Sequence, residues 1–321
     1  MSKQAKQQVE ETNYDQLFKD LLKAFFGELL QLVAPSVAAQ LDASQAEFPD
    51  KETFTDLPKG KHRYMDLVAK VPEKKPKPGA DAQLVLVHVE IEGDFGEAMD
   101  KRMSRYFMQL QLRHDLPVVP LVIFVNGGEP NITTRQYKYA VLGMEVSVFS
   151  YLSLGLSPSS APDYLKKPGA LAAALAVHMK RGNLSKAHLT AECMTKISQA
   201  KLDEAKQFLA VNFVKTYLPL EPAEQQEYTQ LVDKTSLKEV KMMELTWADQ
   251  MQNKGKAQAK AEWLLETLDL KGLKIEKLQR DVVLNCTDIL QLDAWFKKAL
   301  TATSTDQVFG KPTKAKTTKK K

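Results

Sequence analysis

The chain has 321 residues, of which 44% are hydrophobic and 26% are charged, and its net charge is +5. This composition allows a sizeable core and excludes wholesale disorder. No apolar run approaches the roughly 18 residues that a membrane span needs, and the polar start lacks the apolar segment of a secretory signal. The two cysteines are isolated, which excludes a disulfide framework and a cysteine-based zinc site. We therefore expect a cytoplasmic protein without a membrane partner, and association with the nucleoid is left open.

The positive charge is concentrated at the end of the chain. Six lysines lie in residues 311–321, so the rest of the chain carries a net charge of −1. We expect residues 306–321 to form a basic flexible tail. Such a tail is either a solvated solubility feature or a non-specific contact to nucleic-acid phosphates.

The first 160 residues combine helical and strand patterns, except that residues 1–13 lack both and are expected to be disordered. Apolar residues at three- and four-residue spacing predict helices, and apolar runs between turn residues predict strands. In chain order we expect a helix from Leu17 to Val33, a weak strand at 48–57, strands at 64–71 and 84–92, a helix at about 95–114, and strands at 118–125 and 144–152. The strand at 84–92 is apolar enough to be central in its sheet and covered on both faces. This order predicts a mixed α/β domain over residues 14–160.

The pattern after residue 160 is almost wholly helical, and we expect a helical region over residues 161–305. A polar stretch at 252–262 interrupts the apolar spacing and predicts a break between two helices. The apolar faces indicate ordinary helix packing or, as the alternative, a partner or dimer surface. Too few heptads are present to predict a coiled coil.

Three acidic residues stand out in the strand segments. Asp66 lies within a predicted strand of apolar residues. Glu90 and Glu92 lie near the end of the strongest strand, and alternation puts both on the same face as His88. A divalent metal would satisfy Asp66 and Glu90, and Mg²⁺ suits such a site because it takes hard oxygen ligands and keeps several waters. Alternatively, these acids meet solvent or pair with lysine and arginine.

The order of these segments resembles a known nuclease family. RYMDLVAKV at 63–71 is followed by LVLVHVEIEGDFGEAMDKRMSRYFMQL at 84–110 and by LPVVPLVIFVNGG at 116–128. An Asp on one strand, an apolar strand ending in Glu-x-Gln or Glu-x-Lys, and a helix with an Arg-Met-x-x-Tyr-like stretch are typical of the PD-(D/E)XK nuclease superfamily. Within it, the pattern is similar to the transposase-like, Rpn-type (recombination-promoting nuclease) proteins. The segments at 14–30 and 284–309 also resemble this family.

The resemblance implies a restriction-endonuclease-like αβββαβ core with a mixed sheet, followed by a helical C-terminal region. It implies a DNA endonuclease that uses Mg²⁺ or Mn²⁺ to hydrolyse phosphodiester bonds in recombination, mobile elements or phage defence, with no organic cofactor. DNA would be bound mainly through its backbone. A catalytically inactive nuclease fold acting as a DNA-binding or assembly module is the alternative, and cleavage of RNA is a further one. A homodimer is left open.

Carried onto this sequence, the resemblance makes Asp66 and Glu90 metal ligands, with the backbone carbonyl of Ile91 as a third. Glu92 stands where the family has Lys or Gln, so the positive charge that would stabilise the developing charge on the phosphate is missing there. Glu92 would instead bind a second metal, act as a base, or mark a lost activity.

The resemblance also implies that Lys19, Arg102 and Arg105 contact DNA phosphates. Arginine can hold a phosphate through bidentate hydrogen bonds. A solvated helix edge is the alternative for each of them. Further candidates near the acids are Asp15, His62, Arg63, Tyr106 and Gln109.

Overall fold

The computed structural model describes residues 16–49, 53–56, 61–64, 66–74, 82–234 and 238–310. The segment predicted to be disordered and residues 311–321 of the basic tail lie outside these residues. The chain divides into two compact units, one ending at Met243 and the other beginning at Glu244. The predicted domain boundary at residue 160 stays a prediction.

Helices open the described part of the first unit. Residues 16–24 are helical (α1), and Phe26–Val33 (α2) and Pro35–Ala38 (α3) follow. The predicted helix is therefore confirmed, with a turn at Phe25, and Pro35 begins the short α3 because proline fits the first helical position. The apolar residues of α1 and α2 are buried at the predicted spacing: Phe18, Leu21, Leu22, Phe26, Leu29, Leu30 and Val33.

Seven strands lie in the described residues. Thr53–Asp56 (β1) and Lys61–Tyr64 (β2) form an antiparallel pair. Leu67–Pro72 (β3), Leu84–Asp94 (β4), Val118–Asn126 (β5), Thr133–Val141 (β6) and Met144–Gly155 (β7) form a five-stranded sheet in the order β3-β4-β5-β7-β6. β4 pairs antiparallel with β3 and parallel with β5, so the sheet is mixed. The expected α/β fold with a mixed sheet is confirmed.

The predicted position of β4 within the sheet is confirmed. β4 lies between β3 and β5, and residues 86–90 are all buried. Helix α4 (Ala98–His114) covers one face of the sheet. One side of α4 is buried against that face, because the apolar residues of α4 recur every three to four positions. The cluster contains Met99, Met103, Tyr106 and Leu110 from α4 with Val68, Leu86, Val122, Phe124, Phe149 and Tyr151 from the strands.

Strand β6 is absent from the predicted elements. Its sequence, TTRQYKYAV, is mostly polar, and its side chains alternate between half-buried and exposed as far as residue 138. An edge strand of this kind has one solvated face and lacks the apolar run by which β4 and β5 are recognised. It pairs with β7 in an antiparallel hairpin whose register shifts at Tyr139/Ala140.

The first unit continues in helices after β7. These are Ala161–Lys166 (α5), Ala170–Leu175 (α6), Lys186–Gln199 (α7), Glu204–Tyr217 (α8) and Pro222–Lys234 (α9). All six residues of α6 are buried. The carboxylate of Glu28 on α2 accepts a hydrogen bond from the backbone N–H of Leu171 (2.8 Å), so α2 satisfies a donor in the first turn of α6.

A single helix of 33 residues, Lys238–Leu270 (α10), runs through the boundary of the two units. The break predicted at 252–262 is therefore wrong. Lysine, glutamine and alanine in that stretch favour the helix, and one interior glycine, Gly255, costs only about 1 kcal/mol. The second unit also holds Lys277–Leu284 (α11), Ile289–Thr301 (α12) and Thr305–Phe309 (α13). Its core contains Ala261, Leu264, Leu268, Val283, Leu292 and Ala299. Among the described residues, no helix is long and apolar enough to cross a membrane.

Candidate functional site

Asp66 and Glu90 are brought together where β3 begins. β3 and β4 pair with Leu67 opposite Val89, and the next step of this register sets Asp66 opposite Glu90, so the two side chains share a face. Asp66 lies in a bend immediately before β3 and not inside a strand, which corrects the prediction. The reason is that its backbone N–H donates to the side chain of Glu90 (Oε1, 3.1 Å).

The carboxylate of Asp66 in turn accepts a hydrogen bond from the backbone of β4. The backbone N–H of Ile91 donates to Asp66 Oδ2 at 2.8 Å. Each acid therefore accepts a hydrogen bond from the backbone at or next to the other one, which fixes the two carboxylates relative to the ends of β3 and β4. The backbone of Ile91, whose carbonyl is the third predicted ligand, adjoins this pair.

Both carboxylates are largely withdrawn from water. The side chains of Asp66 and Glu90 are 15% and 5% exposed. Burial, followed by the negative charge of Glu90, raises the pKa of Asp66, and the hydrogen bond from Lys19 opposes this effect. The cost of keeping both acids ionised is what a bound cation would remove.

Lys19 supplies a positive charge next to Asp66. Its Nζ on α1 lies 2.9 Å from Asp66 Oδ1, and its side chain is 23% exposed. The sequence predicted Lys19 as a phosphate contact, and the structure brings it to the acidic pair.

His88 is the buried neighbour of Glu90 in this site. The residue is fully buried, and its Nε2 lies 2.9 Å from Glu90 Oε1. Its Nδ1 has no hydrogen-bond partner among the described residues. The imidazole also meets the ring of Tyr106 edge-on, with 5.6 Å between centroids.

Glu92 lies two residues further along the same face and pairs with a cation. Its carboxylate forms an ion pair with the guanidinium of Arg102 on α4, and both side chains are about 30% exposed. Arg102 therefore forms an ion pair with Glu92. Arg105 lies on the same helix and is exposed.

The other predicted residues differ in their surroundings. Tyr106 belongs to the core under α4. The side-chain oxygen of Gln109 is buried and has no hydrogen-bond partner among the residues that the structure describes. Asp15 and the side chains of His62 and Arg63 lie outside the described part of the chain.

A second polar cluster was not predicted from the sequence. Arg135 on β6 donates to both carboxylate oxygens of Asp100 (3.0 Å each) and to the hydroxyl of Tyr151 (3.0 Å), and that hydroxyl donates to Asp100. The guanidinium also lies 4.5 Å from the ring centroid of Phe95. This cluster ties the first turn of α4 to the β6–β7 hairpin. The alternation of Thr133, Arg135 and Tyr137 was the signal that could have indicated β6 and the inward side of Arg135.

No group of three or more His, Cys, Asp or Glu side chains able to hold a metal ion is found among the described residues. The site is thus a pair of carboxylates beside the backbone of Ile91, whose N–H donates to Asp66. A scan against protein-family models and searches of curated proteins and of solved structures gave no match for this chain.

Proposed function

We propose that this protein is a Mg²⁺-dependent DNA endonuclease that hydrolyses phosphodiester bonds. The observation that carries the proposal is the acidic pair Asp66–Glu90. Two largely buried carboxylates share one face of the sheet, and burial and the charge of Glu90 raise the pKa of Asp66. Such a pair is stabilised by a divalent cation.

The donor set suits Mg²⁺. This ion is usually held by one or two carboxylates and keeps several waters, so it does not require three acidic side chains. Asp66, Glu90 and the backbone carbonyl of Ile91 would hold it. When bound, Mg²⁺ would polarise a phosphate oxygen and lower the pKa of a water.

Lys19 would supply the positive charge that a lysine provides in the family at the position of Glu92. Glu92 is neutralised by Arg102 and offers none. Lys19 Nζ, within 3 Å of Asp66 Oδ1, is positioned to stabilise the negative charge that develops on the phosphate. His88 would orient Glu90 through the hydrogen bond to Oε1.

The order of elements supports a restriction-endonuclease-like core as part of the proposal. A helix precedes the antiparallel pair β3–β4, and α4 then leads to β5, which lies parallel to β4. The acids occupy the end of the antiparallel pair, on the face that α4 covers.

A plasmid-nicking assay tests the proposal. Purified protein is incubated with supercoiled plasmid and Mg²⁺ or Mn²⁺, beside Asp66→Asn and Glu90→Gln. Asp163→Asn is the matched control, because Asp163 also pairs with a lysine (2.9 Å) but is 64% exposed on α5. The wild type and the control should nick the plasmid, and both site variants should be inactive. Nicking that survives in the site variants would refute the proposal.

A catalytically inactive DNA-binding or assembly module is the second candidate. The ion pairs Lys19–Asp66 and Arg102–Glu92 favour it, because they neutralise two of the three acids without a metal. A folded wild type that nicks neither with Mg²⁺ nor with Mn²⁺ at any pH, yet shifts the mobility of DNA, would support this candidate.

A further inference from the structure

The end of the β6–β7 hairpin, residues 139–148, extends as an exposed arm, here called the β-arm. All ten of its residues are exposed. Just beyond each end of the β-arm the hairpin is packed, since Phe149 belongs to the core cluster under α4 and the partly buried Tyr137 packs against that cluster. The β-arm nevertheless carries six large apolar side chains that are 41–102% exposed: Tyr139, Val141, Leu142, Met144, Val146 and Val148. An apolar two-stranded hairpin with both faces in water is marginally stable by itself.

The tip of the β-arm is locally unfavourable for its residue. Leu142 and Gly143 have φ angles of 50° and 82° and form the two-residue turn of the hairpin. Two positive φ angles are the pattern of a type I′ turn, in which Asn-Gly is preferred. A leucine there adopts a left-handed conformation that branched apolar side chains rarely take, and its side chain is fully exposed. Contact with a partner would compensate both costs.

A partly apolar groove lies at the end of α4. It has a volume of about 980 Å³ and is lined by Met108, Gln111, Leu112, Asp115, Leu116 and Pro117 at the end of α4. Leu112 is 88% exposed and Met108 is half exposed. The same part of α4 packs against the hairpin where the β-arm ends, because the ring centroids of Phe107 and Phe149 lie 5.1 Å apart.

We propose that the β-arm of one copy occupies the α4 groove of a second copy, and that the exchange is reciprocal. A twofold arrangement buries both surfaces twice, since each copy offers an arm and a groove. Eight large apolar side chains of each copy, the six of the β-arm with Met108 and Leu112, are 41–102% exposed, and together they offer an area on the order of the ~800 Å² per partner that a standard interface buries. The surface is therefore large enough for a stable homodimer.

The charge of the β-arm argues against nucleic acid and membrane as occupants. Glu145 is the one charged residue within 139–148, and it pairs with Lys138. Binding to phosphates or to an anionic lipid surface requires lysine or arginine, which the β-arm lacks. A different protein remains an outcome of the test.

Sedimentation velocity of the full chain at micromolar concentration tests the proposal. The wild type should sediment with twice the chain mass of 36.0 kDa. Leu142→Asn suits the positive φ and removes the apolar tip, so it should keep the fold but weaken the dimer more than about tenfold. Leu112→Asp should do the same from the groove side. Leu270→Asp, which replaces an equally exposed leucine of α10, should leave the dimer intact.

A monomeric wild type, or a dimer that neither Leu142→Asn nor Leu112→Asp weakens, would overturn the proposal. A wild type that gains mass only from a different co-purified protein would also overturn it. Disulfide trapping gives a second readout that does not depend on affinity. In a Cys286→Ser background, a mixture of Leu142→Cys and Leu112→Cys chains should cross-link to a dimer on oxidation, and absence of that band would count against the contact. The dimer contact requires neither metal binding nor DNA cleavage, so either proposal can fail without the other.

Discussion

The ion pair between Lys19 and Asp66 allows a quantitative test of the proposed cation site. Lys19→Met keeps an apolar stem on α1 but removes the charge that lies 2.9 Å from Asp66 Oδ1. Asp66 then keeps the hydrogen bond from Ile91 and still faces Glu90. We expect the pKa of Asp66 to rise further, because Lys19 lowers it more than the Ile91 N–H that remains.

The expected loss of stability follows from the burial of the pair. Exposed ion pairs contribute about 0–1 kcal/mol, and removing one partner of a buried pair costs about 3–5 kcal/mol. Lys19 and Asp66 are 23% and 15% exposed, between these cases. We therefore expect Lys19→Met to lower the free energy of unfolding by about 2 kcal/mol in EDTA. In saturating Mg²⁺ the loss should fall below about 1 kcal/mol, because the bound cation compensates the acids.

Urea unfolding can assign the effect to the correct unit. The three tryptophans are Trp247, Trp263 and Trp295, and all lie in the second unit. Tryptophan fluorescence therefore reports the second unit, whereas circular dichroism at 222 nm reports the helices of both. A change in circular dichroism at urea concentrations where the fluorescence stays constant is therefore unfolding of the first unit.

Lys260→Met is the matched control, since Lys260 forms a partly exposed ion pair with Asp293 in the second unit. Its effect should be independent of Mg²⁺. The double variant Lys19→Met/Asp66→Asn should lose less stability than Lys19→Met alone, because no unpaired charge is left at Asp66. An equal loss of stability for Lys19→Met in EDTA and in Mg²⁺ would mean that no cation binds beside Asp66.

Three further predictions concern other parts of the chain. Burial lowers the pKa of His178 from 6.5 to about 4, so the stability that its neutral form contributes above pH 6.5 is lost as the pH falls through 4. In urea unfolding at pH 7 and pH 4, His178→Phe should reduce the difference in unfolding free energy between the two pH values by about 3 kcal/mol. An unchanged difference would contradict the burial argument. Tyr151→Phe removes the hydroxyl that donates to Asp100 and should lower the free energy of unfolding by about 1–2 kcal/mol; an unaltered urea midpoint would mean that the cluster does not stabilise the hairpin. Removing residues 311–321 deletes six lysines and should flatten the salt dependence of DNA binding in a fluorescence-anisotropy titration, whereas a retained slope would leave the tail with a solubility role.

The sequence predicts the face of β4 on which Glu90 lies, because strand periodicity is a local property. Alternation along 84–92 puts Glu90 and His88 on one face, and both are buried together in the structure. That Asp66 stands opposite Glu90 depends on the register of β3 against β4, which the sequence does not specify. The bend at Asp66 was also missed, because it arises from a hydrogen bond to a side chain 24 residues away.

Contacts across the fold account for most of what was not predicted. Lys19 meets Asp66 through the packing of α1, which lies far away along the chain. β6 escaped prediction because an edge strand with one solvated face carries few apolar residues. The continuity of α10 was not predicted, because a polar stretch that contains a glycine resembles a linker. The residues around Gly255 are nevertheless helix formers.

The central claim is that Asp66 and Glu90 together bind one divalent cation. Titration calorimetry with Mn²⁺ tests it directly, with the wild type beside Asp66→Asn, Glu90→Gln and the control Asp163→Asn. One Mn²⁺ should bind per chain in the wild type and in the control, and binding should be lost in both site variants. A wild type that binds no Mn²⁺, or binding that persists unchanged without Asp66 or Glu90, would contradict the account.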